Sequence, residues 1–132
     1  MNAVEIEVAV SDLAALVFDA AEFPYLFLQA FGNKETTLKR LRAGASNKSD
    51  VGGVLQVNNI HILVAQAGAV SKALSALKQS PSTARGKVKF ILATDGVDFE
   101  AENLQNGETL CCAYASFPVH FGFFLYLAGE SA

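Results

Sequence analysis

Hydrophobic positions in the first third of the chain recur at helical spacing. Helices are therefore predicted at residues 4–18, at residues 24–32 and at residues 35–42. Pro24 suits the first turn of the second helix, because proline has no amide hydrogen to lose there. Gly32 and Gly44 are typical stops for the second and third helices. The chain thus opens with a helical segment.

The period of the pattern changes after residue 50, where β-branched residues form short runs. Strands are predicted at residues 51–57, 60–65, 87–94, 97–102 and 108–114, and a helix at about residues 70–77. Hairpin turns are indicated by Asn58-Asn59, Asp95-Gly96 and Asn106-Gly107. A last helix is predicted at residues 117–127, with Ser116 as its N-cap.

This order of elements predicts an α/β fold. Because a helix separates the second and third strands, those two strands are expected to run parallel, in a mixed sheet of about five strands with N-terminal helices and a crossover helix. The 132 residues are 52% hydrophobic, which fits a single domain over residues 1–132 with its own core. The N-terminus has no signal-peptide pattern and no apolar run reaches about 18 residues, so a cytoplasmic protein without a membrane partner is expected.

The cysteine and histidine positions show no catalytic pattern. Cys111 and Cys112 are adjacent in a predicted strand, where neighbouring side chains point to opposite faces and do not easily bridge each other. Two buried, reduced thiols are therefore predicted. His61 lies within an apolar strand and has no metal-ligand or triad spacing around it, so a hydrogen-bonded structural histidine is predicted.

Positive charge is concentrated between residues 34 and 48, although the whole chain has a formal net charge of -3. That segment holds five of the ten basic residues and one acid, Glu35, which gives a local charge of +4. Phosphate contacts need such charge together with neutral hydrogen-bond donors. A solvated helix face and loop would show the same pattern. The candidate DNA-binding residues are Lys34, Lys39, Arg40, Arg42, Ser46, Asn47 and Lys48.

Asp50 stands at the end of the basic segment, directly before the first predicted strand. The glycines that follow it allow a ligand to approach closely. A carboxylate at this place could hold a divalent ion against a phosphate, although aspartate is also an ordinary turn residue. Asp50 is therefore the candidate metal ligand.

Several segments of the chain carry a family resemblance. They include Phe23-Pro24-Tyr25-Leu26-Phe27-Leu28, Ser46-Asn47-Lys48-Ser49-Asp50, Gly53-Val54-Leu55-Gln56, Asn58-Asn59-Ile60-His61-Ile62 and Lys89-Phe90-Ile91-Leu92-Ala93-Thr94-Asp95-Gly96. Over essentially its whole length the chain resembles the N-terminal region of large bacterial DNA methyltransferases, similar to single-chain restriction-modification enzymes of the MmeI type. The resemblance implies a restriction-endonuclease-like core, in which an aspartate and a Glu-x-Lys triplet on the next strand bind magnesium.

The chain departs from that nuclease pattern after its first acid. The resemblance assigns Asp50 to the first acid and places Asn58 near the second, so these two are the catalytic candidates. No lysine has Asp, Glu or Gln two residues before it. One carboxylate and one amide hold Mg²⁺ weakly, and no adjacent cation stabilises the charge that grows on the phosphate. We therefore expect no cleavage, and the methyltransferase motifs that the family implies are absent from the sequence.

Three functions follow from the sequence. The first is a non-catalytic module that contacts the DNA backbone or another domain of a restriction-modification enzyme. The second is a residual Mg²⁺-dependent nuclease centred on Asp50, for which Mg²⁺ is the one cofactor considered. The third is a self-associating homo-oligomeric module without a nucleic-acid role, built on the aromatic segment 117–127.

Overall fold

The structure, a computed structural model, describes residues 1–128 of the chain. The helices are α1 (Ala3–Ala15), α2 (Phe23–Ala30), α3 (Glu35–Arg42), α4 (Val70–Gln79) and α5 (Pro81–Arg85). The strands are β1 (Val54–Gln56), β2 (Ile60–Val64), β3 (Phe90–Thr94), β4 (Asp98–Asn103) and β5 (Thr109–Ala113). A C-terminal 3-10 helix follows at Tyr114–Ala128. Among residues 1–128, no helix combines the length and the apolar character that crossing a membrane requires.

The strands of the described residues form one mixed sheet in the order β1-β2-β3-β4-β5. Strands β2 and β3 run parallel, and the other neighbouring strands run antiparallel. The parallel pair is joined by the α4–α5 crossover, as a parallel connection requires. The predicted α/β architecture is therefore confirmed, with its N-terminal helices, its five-stranded mixed sheet and its crossover helix.

The sheet is covered on both faces. On one face lie α1, α2 and the C-terminal 3-10 helix, whose apolar side chains form the larger core. This core is rich in phenylalanine, and the rings of Phe99 and Phe117 stack at 4.7 Å with an interplanar angle of 2°. On the other face α4 packs on Leu55 and Ile91. The spacing of buried residues along α1 is that of one helix face.

Strand β1 is shorter than the predicted strand 51–57. The hydroxyl of Ser49 accepts hydrogen bonds from the backbone N–H groups of Val51 and Gly53, at 3.3 and 3.0 Å. Gly52 has a φ of +78°, a left-handed conformation that glycine adopts without steric cost. Residues 51–53 therefore curl around Ser49 instead of pairing with β2.

The predicted C-terminal helix at 117–127 is wrong in type and in its start. The 3-10 helix begins at Tyr114, so Ser116 lies inside it and is not an N-cap. The backbone of His120, with φ −103° and ψ 19°, interrupts the helix. The Tyr114 N–H still donates to the Val97 carbonyl at 2.8 Å, so the chain passes from strand pairing directly into the helix.

The prediction of two buried thiols is also wrong. Cys111 is exposed and Cys112 is half-buried, and both are free. The reason is that β5 is an edge strand, so it has a neighbour on one side only. Burial raises the pKa of the Cys112 thiol, and its electrostatic interaction with the neighbouring Cys111 acts in the same direction.

Candidate nucleic-acid interface

The turn between β1 and β2 is fixed by hydrogen bonds to two other segments. Asn58 has a φ of +65°, a left-handed conformation that asparagine tolerates better than most residues. Its N–H donates to the carbonyl of Gly86 at the end of α5, at 2.7 Å. The carbonyl of Asn59 accepts from the N–H of Lys89, at 2.8 Å. Val57, at the start of this turn, is 45% exposed.

Four cations surround Val57, and each comes from a different part of the chain. Arg40 lies on α3, Lys48 follows α3, Arg85 ends α5, and Lys89 precedes β3. Val57 lines three adjoining hollows of about 250, 340 and 330 Å³, and these cations line the same hollows. Among the described residues that line them, none carries a carboxylate. We call Val57 and these four cations the Val57 face.

Neutral amide groups lie beside these cations. The Gln56 side chain donates to the Asn33 side-chain oxygen at 2.9 Å and accepts from the amide of Asn59. All three residues line the hollow that also contains Lys89. Such amides are neutral hydrogen-bond donors and acceptors, which can set the position of a phosphate or sugar without adding charge.

The structure brings together three of the predicted DNA-binding residues. Arg40, Ser46 and Lys48 line one hollow of the Val57 face. Lys34 precedes the first residue of α3, and Lys39 is exposed on the same helix. Neither Lys34 nor Lys39 forms an ion pair with any residue in the described part of the chain. Their contact with DNA stays a prediction.

Arg42 lies on a different side of α3, against α2. Its guanidinium donates two hydrogen bonds to the Glu22 carboxylate, both at 2.7 Å, and lies 4.2 Å from the centroid of the Tyr25 ring. The hydrogen bonds lower the pKa of Glu22 and raise the pKa of Arg42. The charge of Arg42 is therefore already balanced by a neighbouring carboxylate. That it contacts DNA stays a prediction.

Asn47 has a structural role in the loop after α3. Its side chain donates to the Gly53 carbonyl at 3.0 Å and accepts from the backbone N–H groups of Ser49 and Leu55, at 3.0 and 2.9 Å. The Lys48 N–H donates to the Leu55 carbonyl at 3.2 Å. These bonds close the outer edge of β1, and they fix the backbone from which the Lys48 side chain reaches the Val57 face.

His61 connects this loop to α5. The ring is 0% exposed, with Nε2 at 2.7 Å from the Ser49 hydroxyl and Nδ1 at 2.8 Å from the Thr83 hydroxyl. Because the Thr83 hydroxyl donates its proton to the Leu77 carbonyl, it accepts from Nδ1–H, and Nε2 then accepts from Ser49. Burial lowers the pKa of His61 to about 4, although the charge of Asp50 acts in the opposite direction. The prediction that His61 is hydrogen-bonded within the strand is confirmed.

Asp50 is bound to the start of α5. Its carboxylate accepts hydrogen bonds from the Ser80 hydroxyl at 2.5 Å and from the Ser82 N–H at 3.4 Å. The bond from Ser80 is the main cause of the lowered pKa of Asp50. The backbone N–H of Asn58 bonds to Gly86, at the opposite end of α5. Because a five-residue helix is about 7.5 Å long, the contacts of Asp50 and Asn58 with α5 are separated by the length of that helix. No three His, Cys, Asp or Glu residues among residues 1–128 are grouped to hold a metal ion. The Asp50 carboxylate is thus engaged by the start of α5, and that it binds a divalent ion stays a prediction.

Arg85 and Lys89 were not among the predicted DNA-binding residues. They lie about forty residues beyond the basic segment, in a short run with Lys87 that holds three cations within five residues. Their position depends on the Asn58–Gly86 and Asn59–Lys89 hydrogen bonds, which join residues that are distant in sequence. Two sequence signals could have indicated them: the basic run at residues 85–89, and the expected parallel pairing of β2 with β3, which places Lys89 near the turn.

Comparison with known protein families finds a match over the whole sequence. The matching family model is described as "MmeI, N-terminal domain" and covers residues 1–132. No curated protein and no solved structure matches the chain. The match includes every segment that forms the Val57 face and the hydrogen-bond network of His61.

Proposed function

Because the chain belongs to the family of MmeI N-terminal domains of restriction-modification enzymes, we propose that it is a non-catalytic module that contacts the DNA backbone through the Val57 face. The observation that carries the proposal is the convergence of Arg40, Lys48, Arg85 and Lys89 around one exposed turn. Cations that gather from separate segments without a carboxylate among the described lining residues form a surface that attracts polyanions.

The chemistry of the face favours phosphate and sugar over base edges. Lysine and arginine supply charge, Gln56 and Asn59 supply neutral hydrogen-bonding groups, and Val57 supplies an apolar contact. Contacts to the backbone position a protein on the duplex but do not read its sequence. We therefore expect binding that depends on salt and only weakly on sequence.

A non-catalytic role is supported by the surroundings of Asp50. Both oxygens of its carboxylate accept hydrogen bonds from α5, and Asn58 lies at the other end of that helix. Incubating supercoiled plasmid with the protein and Mg²⁺ tests this part of the proposal, with Asp50→Ala as the comparison. We expect no nicking by either protein. Nicking by the parent that Asp50→Ala abolishes would show that the chain is a nuclease.

The binding test compares three variants with the parent on a short duplex, by fluorescence anisotropy. The double changes Arg40→Ala with Lys48→Ala and Arg85→Ala with Lys89→Ala each remove two cations of the face. Each is expected to weaken binding on the order of tenfold and to reduce the salt slope by about 2 between about 50 and 200 mM salt. Lys72→Ala, an exposed cation on α4, is the control and should bind as the parent does.

The change Arg85→Ala with Lys89→Ala is the more stringent test. These two residues are distant in sequence from Arg40 and Lys48, and only the folded structure brings them to the Val57 face. Equal affinity and equal salt slope for the parent and both double variants would contradict the proposal. The change Lys39→Ala with Arg42→Ala gives a further comparison. It is expected to have the smaller effect, because Glu22 already balances the charge of Arg42.

A further inference from the structure

Strand β5 leaves one side of its backbone without a partner in the described chain. The Asn103 N–H donates to the Glu108 carbonyl and the Tyr114 N–H to the Val97 carbonyl, which fixes the alternation of the β4–β5 hydrogen bonds. Thr109, Cys111 and Ala113 therefore direct their N–H and carbonyl groups away from β4. All three residues are exposed, and no described residue bonds to these groups.

Nothing in the sequence of β5 protects this edge. The strand reads Thr-Leu-Cys-Cys-Ala and holds neither a charged residue nor a proline, the features that commonly keep sheet edges from pairing. The opposite edge of the sheet differs, because the side chain of Asn47 and the backbone of Lys48 already bond the outer side of β1. The outward N–H and carbonyl of Leu55 are thus already bonded, which favours the pairing of β5 with β5, a contact that closes at two chains, over pairing of β5 with β1.

We propose that β5 pairs with β5 of a second copy, antiparallel, around a twofold axis at Cys111. In this register Cys111 of the two copies face each other and Thr109 faces Ala113, so the opposed side chains are small and uncharged. On the other face of the sheet, Leu110 and Cys112 face each other across the pair. Both are half-buried against the larger core, and pairing extends that core across the interface.

The C-terminal 3-10 helix is a weaker candidate for self-association. Its large aromatic side chains Phe117 and Phe124 are buried within the chain, and both contact the Phe99 ring. The apolar residues that it leaves exposed include Val119 at 80%. Leu125 and Tyr126 are also exposed, but these side chains leave no backbone group unpaired, whereas β5 has outward backbone groups without a partner among the described residues.

Light scattering over a dilution series tests the proposal with two matched variants. Cys111→Lys places two like charges across the proposed axis, and Val119→Lys makes the same change on the exposed side of the C-terminal helix. We expect the parent and Val119→Lys to reach twice the 14.0 kDa of one chain, and Cys111→Lys to stay at 14.0 kDa. Circular dichroism verifies that both variants are folded, since both positions are exposed.

Two outcomes would overturn the proposal. One is a parent that keeps the mass of a single chain at every concentration. The other is a dimer that survives Cys111→Lys and is lost in Val119→Lys. Neither outcome bears on DNA binding, because no nucleic acid is present in the measurement.

Disulfide trapping with copper phenanthroline in air then tests the register. Paired residues that exchange both hydrogen bonds have Cα atoms about 5.5 Å apart, within the range of about 4.4–6.8 Å that a disulfide spans. We therefore expect Cys112→Ser, which keeps Cys111, to form a covalent dimer. Cys111→Ser should not, because the two copies of Cys112 are offset by two residues and their Cα atoms lie about 8 Å apart, beyond the reach of a disulfide. Equal trapping of both variants would contradict the register.

Discussion

Acidification tests the hydrogen-bond network around His61. Burial lowers the pKa of His61 from its ordinary value of 6.5 to about 4. Below pH 6.5 the unfolded chain binds a proton on this ring, and the folded chain does not until about pH 4. The free energy of unfolding must therefore fall as the pH falls through this window, because protons bind to the unfolded state first.

The size of the effect follows from the two pKa values. The full difference corresponds to about 3 kcal/mol at about 1.4 kcal/mol for each pH unit, and we take this as an upper limit. Between pH 7 and pH 5 most of the titration occurs in the unfolded chain, which gives a loss of about 2 kcal/mol. A domain of this size is stable by about 5–15 kcal/mol, so the loss is measurable.

Urea unfolding at pH 7 and pH 5, followed by far-ultraviolet circular dichroism, measures this loss. Circular dichroism suits the chain because it has no tryptophan. The control is His61→Gln, which removes the titrating ring and leaves the exposed His120 in place. The variant should be less stable than the parent at pH 7, but nearly independent of pH down to pH 5. Equal free energies for the parent at the two values, or the same decline in His61→Gln, would refute the reasoning.

Two further pairs of substitutions test the packing. Gly53→Ala would place a Cβ against the Ile62 carbonyl oxygen, so it should cost about 3 kcal/mol in a urea titration, whereas Gly122→Ala meets no atom and should cost little. Phe117→Ala removes a ring that is stacked in the larger core and should cost about 3–5 kcal/mol, whereas Val119→Ala, on the exposed side of the same helix, should be near neutral. Similar stabilities within either pair would contradict the packing described above.

The parts of the fold that local chemistry determines were predictable from the sequence. The Asn58-Asn59 turn joins β1 to β2, Asn106-Gly107 joins β4 to β5, and the helix between β2 and β3 connects a parallel pair. The predictions fail where side-chain contacts override the hydrophobic pattern of the sequence. The Ser49 hydroxyl takes the N–H groups that would have extended β1. The C-terminal segment has an apolar composition that fits an α-helix, yet it forms a 3-10 helix that packs its aromatic rings against the sheet.

The candidate interface was predictable only in part, for a related reason. The charge of the segment 34–48 is visible in the sequence, but its distribution over the surface is not. Arg42 pairs with Glu22, which lies twenty residues earlier, and Asn47 bonds the edge of a strand that follows it. Arg85 and Lys89 join the surface through backbone hydrogen bonds to the β1–β2 turn. A cluster in sequence therefore indicated the region but not the set of cations.

The network of His61 and the Val57 face depend on the same contacts. Ser49 belongs to the loop that positions Lys48, and Thr83 belongs to α5, which ends at Arg85. The ring of His61 lies between Ser49 and Thr83, so it holds these two cations at a fixed separation although it contacts neither of them. A proton on Nε2 would leave that nitrogen unable to accept from Ser49. Protonation of His61 should therefore loosen the arrangement of positive charge on the Val57 face as well as lower the stability of the fold.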